Sequence, residues 1–296
     1  MNLTTFKTLV MREYWENKSF VRAPLIIAGV ILFSVIVGMF SAQNMIFSMG
    51  DQAHIEIGAG FEELDNATSD ELTMAMKGIQ YGLFLSPLSV GFVFVIFFYA
   101  LGSLYNERRD RSILFWKSMP ISDTETVLSK VFSVFVTAPV ITAVVAMASQ
   151  LFGLIILTLM VWINGGSAWN LIWAHSSILT VFFNDFALLL IIALWMAPIL
   201  GWLWLVSSYA NKAAFLIAVF VPLGLIFVEG MIFRTSNFVQ LIGDHLSQIE
   251  LIVEGTVENN HPFEIVATSG FWIGIVICAA MIAGATYIRR FRDDSY

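Results

Sequence analysis

Charge is what this sequence has least of. Asp, Glu, Lys and Arg make up 12% of its 296 residues, against 58% hydrophobic. A soluble domain carries roughly 25% charged residues, so the shortage excludes a solvated globule and leaves an integral membrane protein. Cysteine is nearly absent. Cys278 stands alone inside an apolar run, which excludes a disulfide within the chain. A net charge of −7 and a pI near 5.1 argue against nucleic acid as a partner. No G-x-x-x-x-G-K-S/T segment occurs, so the chain has no loop of its own to cradle ATP phosphates. Neither H-E-x-x-H nor G-x-S-x-G is present. His54, His175, His245 and His261 include no pair with metal-ligand spacing. The expectation is a non-enzyme that binds no cofactor or metal itself.

Long runs without charge are what the sequence does have. A helix needs about 20 apolar residues to cross roughly 30 Å of hydrocarbon. The runs place spans at 23–40, 81–104, 131–163, 176–208, 213–233 and 268–288. The long uncharged stretch after Lys130 is divided by the turn signal Asn164-Gly165-Gly166-Ser167. Pro87, Pro139, Pro198 and Pro222 lie within spans, where each kinks its helix. Trp162, Trp169 and Trp173 flank one membrane boundary as interfacial anchors. Residues 1–22 form a leader whose Leu3, Phe6, Val10 and Tyr14 share a helical stripe opposite Thr5, Thr8, Arg12 and Glu16. That pattern predicts an amphipathic helix in the membrane interface. Two loops, 41–80 and 234–267, mix apolar and acidic residues and predict short surface helices; Leu241, Ile242, Leu246, Ile249 and Ile252 recur at near-helical spacing. The expected fold is therefore an all-α, six-span membrane protein forming one domain over 1–296, with short helices on its outer face.

The basic residues orient it. Thirteen of the fifteen Lys and Arg fall in the leader, the 105–130 loop, the 209–212 link and the tail, while Lys77 and Arg234 lie opposite. Positive charge stays cytoplasmic, so both termini and the 105–130 loop are expected inside. Twelve carboxylates populate the two outer loops.

One compact charged island interrupts the apolar pattern: Glu107-Arg108-Arg109-Asp110-Arg111, followed by Ile113-Leu114-Phe115-Trp116. Glu107 and Arg111 are spaced to pair on a helix. Four consecutive apolar residues cannot all share one helix face, so part of this segment must enter the membrane interface, the bundle or a groove of a partner protein. The arginines alternatively serve acidic lipid headgroups. Pro120 ends the segment, and Ser122-x-x-Glu125 is a capping box that starts a helix running into the third span. Within the spans, Asp185 with Asn184, and Glu229, are the residues that chemistry must explain. An acid in hydrocarbon costs about 2.5–3.5 kcal/mol on insertion scales. Asp185 reads either as a substrate or proton site or as a residue near the outer interface; Glu229 reads as a local cap or pair.

Residues 105–123, YNERRDRSILFWKSMPISD, resemble the cytoplasmic loop of bacterial type-2 ABC transporter permeases. Residues 194–208, LWMAPILGWLWLVSS, and 215–229, FLIAVFVPLGLIFVE, are similar to that family's fourth and fifth spans. The resemblance implies an export-type permease subunit of the inner membrane, paired with a second permease subunit as homodimer or heterodimer. Separate ATP-binding subunits would supply ATP and Mg. A coupling helix at about 107–119 would carry Glu107, Arg108, Arg109, Arg111, Phe115 and Trp116 against the ATPase. Two rivals remain open. One is an ion- or proton-driven carrier using Asp185 and Glu229; the other is a membrane scaffold that moves nothing. The resemblance leaves the substrate unspecified.

The orientation is testable directly. A thiol introduced by Arg111→Cys, in a Cys278→Ser background, is expected to react with an impermeant maleimide only when the cytoplasmic face is opened; labelling of intact cells would reverse the topology.

Overall fold

The computed structural model describes residues 3–41, 45–49, 53–57, 68–163, 165–259 and 263–291. Much of the 41–80 loop, together with Asn164, His261 and Arg292, lies outside them.

In chain order, α1 (Leu3–Glu16) and α2 (Ser19–Ser41) come first. Within the first outer loop, where short helices were expected, an antiparallel hairpin precedes one short helix. Its strands are β1 (Met45–Met49) and β2 (Ala53–Ile57), with Met45 opposite Ile57. The β-branched and apolar residues of this stretch, Ile46, Phe47, Ile55 and Ile57, favour a pleated strand over a helix. Next, α3 (Ser69–Lys77) starts at a capping box: Thr68 Oγ1 accepts from the Glu71 amide, and Glu71 accepts from the Thr68 amide at 2.8 Å. It continues through a π-helical segment, Gly78–Leu85, into α4 (Ser86–Ser103).

The wide turn ends just before Pro87, and the Ser86 amide bonds the Tyr81 carbonyl, five residues back. Pro87 has no N–H to offer, and its ring crowds the carbonyl four residues earlier; an extra residue in the turn relieves both problems. The same device recurs before Pro139, where Ser133–Thr137 is π-helical and the Ala138 amide bonds Ser133.

Two short helices follow, α5 (Tyr105–Arg109) and α6 (Ser112–Lys117). Then α7 (Asp123–Phe132) runs through the second π segment into α8 (Ala138–Ile163). Its predicted capping box is formed: the Glu125 amide donates to Ser122 Oγ at 3.2 Å, and the Ser122 amide to Glu125 Oε2 at 3.3 Å. A π turn at Trp169–Trp173 precedes α9 (Ile178–Trp195). The span read as 176–208 is divided at Met196, and α10 (Ala197–Tyr209) begins there. Pro198 denies the Leu194 carbonyl its helical donor, and the neighbouring Trp195 carbonyl lies 2.8 Å from His245 Nε2. After α10 come α11 (Ala214–Val228), a π turn at Glu229–Phe233, α12 (Asn237–Asn259) and α13 (Ser269–Phe291). The helix expected around Leu241 to Ile252 is α12.

Six helical stretches are long and apolar enough to cross a membrane: Ser19–Gly38, Ser69–Arg109, Asp123–Ile163, Trp169–Trp195, Ala214–Phe233 and Ser269–Phe291. The chain is a multi-pass membrane protein built from helices. The second and third stretches are each 41 residues. At 1.5 Å per residue that is about 60 Å, roughly twice the hydrocarbon thickness, so both helices continue outside the apolar layer.

The chain groups into two compact units. One contains Met1–Lys18, Val93–Pro139 and Leu190–Tyr296, the other Ser19–Phe92 and Val140–Leu189. One boundary falls between α1 and α2, and the other three fall inside α4, α8 and α9. The second unit has an apolar core in which Ile31 and Val35 of α2 meet Leu72 and Met76 of α3, Phe84, and Leu154 and Val161 of α8. In the first unit, α10 lies against α13 through small residues. A Cβ at Gly201 would stand 3.0 Å from Cys278 Cα, and one at Gly284 would stand 3.3 Å from Leu205 Cδ1. Lipid tails are as apolar as leucine, so helices in a bilayer associate by close packing rather than by escape from water, and small residues permit it.

Gly201→Leu is therefore expected to force α10 from α13 and to destabilise the protein by about 1–3 kcal/mol. Thermal melts in detergent check this; an unchanged melting temperature would mean the two helices are not closely packed.

Candidate functional site

The segment predicted to be one helix over 107–119 is an elbow of two. Arg111 takes the left-handed backbone conformation, φ 58° and ψ 12°, and ends the run that began at Tyr105. That conformation costs an L-residue roughly 1–2 kcal/mol. Local bonds hold it in place: the Arg111 amide donates to Arg108 O at 3.0 Å, and Ser112 Oγ donates to Glu107 O at 3.2 Å. The turn separates Glu107 from Arg111, so their expected pair does not form. Glu107 is buried and Arg111 is exposed.

The inner side of the elbow is committed to its own chain. Arg108 Nη2 donates to the carbonyls of Ser207 and Ala210, both at 2.7 Å. Those acceptors lie at the C-terminal end of α10, where carbonyls have no helical donor and a cation is favoured. In return, Ser207 Oγ accepts the amides of Leu104 and Tyr105, at 3.1 and 2.9 Å, which caps α5. Trp116 is half-buried, and the Arg12 guanidinium lies 4.0 Å over its ring, a cation–π stack. Glu107, Arg108 and Trp116, expected to face a partner, therefore face the bundle. The outer side is different. Arg109 and Arg111 are exposed, Arg109 pairing with its neighbour Asp110 at 3.0 Å and lying 5.9 Å over the Tyr105 ring. Leu114 and Phe115 are 60% and 56% exposed.

Behind the elbow is a buried cluster of charge that the sequence did not reveal. Lys130 Nζ on α7 sits 2.8 Å from Glu13 Oε1 of α1 and 2.9 Å from Glu107 Oε1 of α5. Arg12 contacts both carboxylates, at 3.1 Å in the case of Glu107. Arg289 of α13 donates to Glu107 Oε2 at 2.6 Å and to Asp123 Oδ1 at 3.0 Å. The Tyr99 hydroxyl donates to Glu13 Oε2 at 2.7 Å. Three cations thus face three carboxylates contributed by the leader, the elbow, the head of the third span and the last helix. All belong to the first unit. The face of α1 that is buried carries Leu9 and Glu13, while Leu3 and Tyr14 of the predicted apolar stripe are exposed. Burial alone would raise the Glu13 carboxyl; Lys130 and Arg12, with hydrogen bonds from Lys130 and Tyr99, outweigh it and hold the group below its ordinary value.

The span residues separate into two kinds. Glu229 is the local cap the sequence suggested: it accepts from Thr235 Oγ1 and from the amides of Asn237 and Phe238, at 2.7–2.9 Å, and so starts α12. Asp185 is the other kind. It is wholly buried in the second unit, and its Oδ2 accepts from Gln150 Nε2 at 2.9 Å. Asn184 Nδ2 donates to the Tyr81 hydroxyl at 3.3 Å. Among the described residues, no group of three or more His, Cys, Asp or Glu is placed to hold a metal ion. Known proteins add nothing to this geometry: no family model, no curated protein and no solved structure matches the chain.

The residues missed from sequence, Glu13, Lys130 and Arg289, carried one faint signal. Glu13 lies one helical turn after Leu9, and Lys130 is the last charge before the uncharged third span.

Removing the central cation should be costly. Lys130→Met removes the more deeply buried of the two cations that Glu13 and Glu107 share and leaves Arg12 as the other, and loss of one member of a buried ion pair costs about 3–5 kcal/mol. Because the folded Glu13 value is depressed, its contribution is complete above the ordinary carboxylate range and declines as pH falls from there through the depressed value. Melting curves of the parent protein should therefore fall in that acidic window, with a smaller fall in Glu13→Gln. Identical pH profiles would show that Glu13 does not stabilise the fold by its charge.

Proposed function

We propose that this chain is the membrane-spanning permease subunit of an ATP-driven transporter of the type-2 ABC kind, export-directed, in a bacterial cytoplasmic membrane. The distribution of Lys and Arg supports a cytoplasmic location for both termini and the elbow. A separate ATP-binding subunit carries ATP and Mg, and a second permease subunit completes the pathway. The observation that carries this reading is the two-sided elbow. Its outer side, Arg109, Arg111, Leu114 and Phe115, offers charge and exposed apolar area. Its inner side is tied by Glu107, Arg108 and Trp116 to α1, α7, α10 and α13. A force applied outside reaches four helices through buried ionic contacts rather than through a slack loop. Such coupling requires that the partner contact the elbow differently in its two nucleotide states. The resemblance of residues 105–123 to the permease loop supports the same assignment.

The coupling surface narrows accordingly to Arg109, Arg111, Leu114 and Phe115. Purification from native membranes is expected to yield a co-eluting protein with a phosphate-binding loop. In that complex, Arg109→Glu with Phe115→Ala is expected to weaken subunit association and stimulated ATP hydrolysis by about tenfold or more, since truncated interface anchors cost upwards of 1 kcal/mol each. A complex with unchanged stimulation, or a chain that carries no ATPase at all, would overturn the assignment.

A further inference from the structure

The second unit holds a polar cluster that the elbow does not explain. Asp185 on α9 is 0% exposed, and Gln80, in the π segment before α4, is 2% exposed. Gln150 of α8 spends one amide nitrogen on both, donating from Nε2 to Asp185 Oδ2 at 2.9 Å and to the Gln80 carbonyl at 3.2 Å. Two side-chain oxygens then remain buried with no donor, Asp185 Oδ1 and Gln80 Oε1. Asp185 makes no ion pair among the described residues. The titratable group that faces it is the Tyr81 phenol, which already accepts from Asn184.

This arrangement is short of one thing. Buried polar atoms in native proteins are nearly always paired, and an isolated carboxylate in a low-dielectric interior is strongly disfavoured. Here the unmet atoms are both acceptors, one of them a potential anion. A large ligand is excluded because neither residue reaches a surface. A hard divalent cation is bound chiefly through several carboxylates, and among the described residues no group of three or more His, Cys, Asp or Glu is placed to hold one. A proton fits: bound to Oδ1, it removes the charge and turns one surplus acceptor into a donor. Ionisable groups within spans that lack a counter-ion mark ion or proton sites by default.

We infer that Asp185, framed by Gln150 and Gln80, is an exchangeable proton-binding site inside the membrane bundle. The only bond made or broken is the carboxyl O–H, and the proton is taken from and returned to water. The site uses none of the elbow residues and stands whether or not an ATPase drives the chain.

Infrared difference spectra of the full chain in lipid nanodiscs, taken across pH, test it. The expected result is a protonated-carboxyl C=O band that is lost reversibly as pH rises and is absent from Asp185→Asn. Gln150→Leu removes the hydrogen bond that favours the carboxylate, so proton binding should tighten by about tenfold and the band's midpoint should move upward by about one pH unit. Tyr81→Phe should keep the band. A band that persists at every pH the fold survives would show a permanently neutral carboxyl and overturn exchange. No band at all, or a titration retained in Asp185→Asn, would overturn the site. Should Asp185→Asn fail to fold, the Gln150→Leu midpoint decides, and an unmoved midpoint counts against the proposal.

Discussion

Lys130 places one ammonium between two carboxylates that belong to different parts of the chain, and the rest of the first unit is arranged around that contact. Glu13 comes from the leader, Glu107 from the elbow, and Arg289 of the last helix closes on the far oxygen of Glu107. Each of these charges is buried, so each has surrendered most of its hydration. The desolvation penalty for such groups is several kcal/mol per ion, and it is offset only when geometry is good and every lone pair is met. Three cations face three carboxylates here, and a tyrosine hydroxyl meets the remaining oxygen of Glu13; Arg12 also reaches Glu16 at 3.6 Å, while its Nε and Nη1 have no hydrogen-bond partner among the described residues. Such a set has little tolerance for partial displacement. It holds together or it separates, as a joint between the leader, the elbow and the last helix.

The elbow draws its character from that joint. A single helix over 107–119 would have pointed Glu107 and Arg111 along one face toward solvent. The left-handed Arg111 turns the chain instead, sending Glu107 inward while Leu114 and Phe115 stay outside. Arg108 ties the same turn to the end of α10, and α10 packs on α13 through glycines. The elbow is therefore rigid on one side and available on the other. A loop of the same composition lying on lipid headgroups would have no need to spend Glu107, Arg108 and Trp116 on internal contacts.

The second unit follows a different chemistry. Its polar cluster joins one acid to two glutamines with no cation paired to the acid among the described residues, beside a core that is mainly apolar. Charge is neutralised by opposite charge in one unit; in the other it is met by an amide and left one donor short. Proline shapes both. The π segments before Pro87 and Pro139 widen the helix where a donor is missing, and the first of them carries Gln80 into the Asp185 cluster.

How much of this was written in the sequence depends on the range of each interaction. Low charge and apolar run length determined the membrane class and the six spans, because both are one-dimensional quantities. The Ser122–Glu125 box and the capping role of Glu229 were also legible, since their partners lie within nine residues. The outer hairpin was missed because a mixed apolar and acidic stretch suits either a strand or a surface helix until pairing decides. The partners of Glu107 could not be read at all. They stand 95 and 182 residues away at Arg12 and Arg289, and local spacing offered Arg111 instead. Tertiary structure alone decided which side of the elbow is free and which acid is enclosed, because burial and pairing of charge depend on what the fold brings within a few ångströms, not on neighbours along the chain.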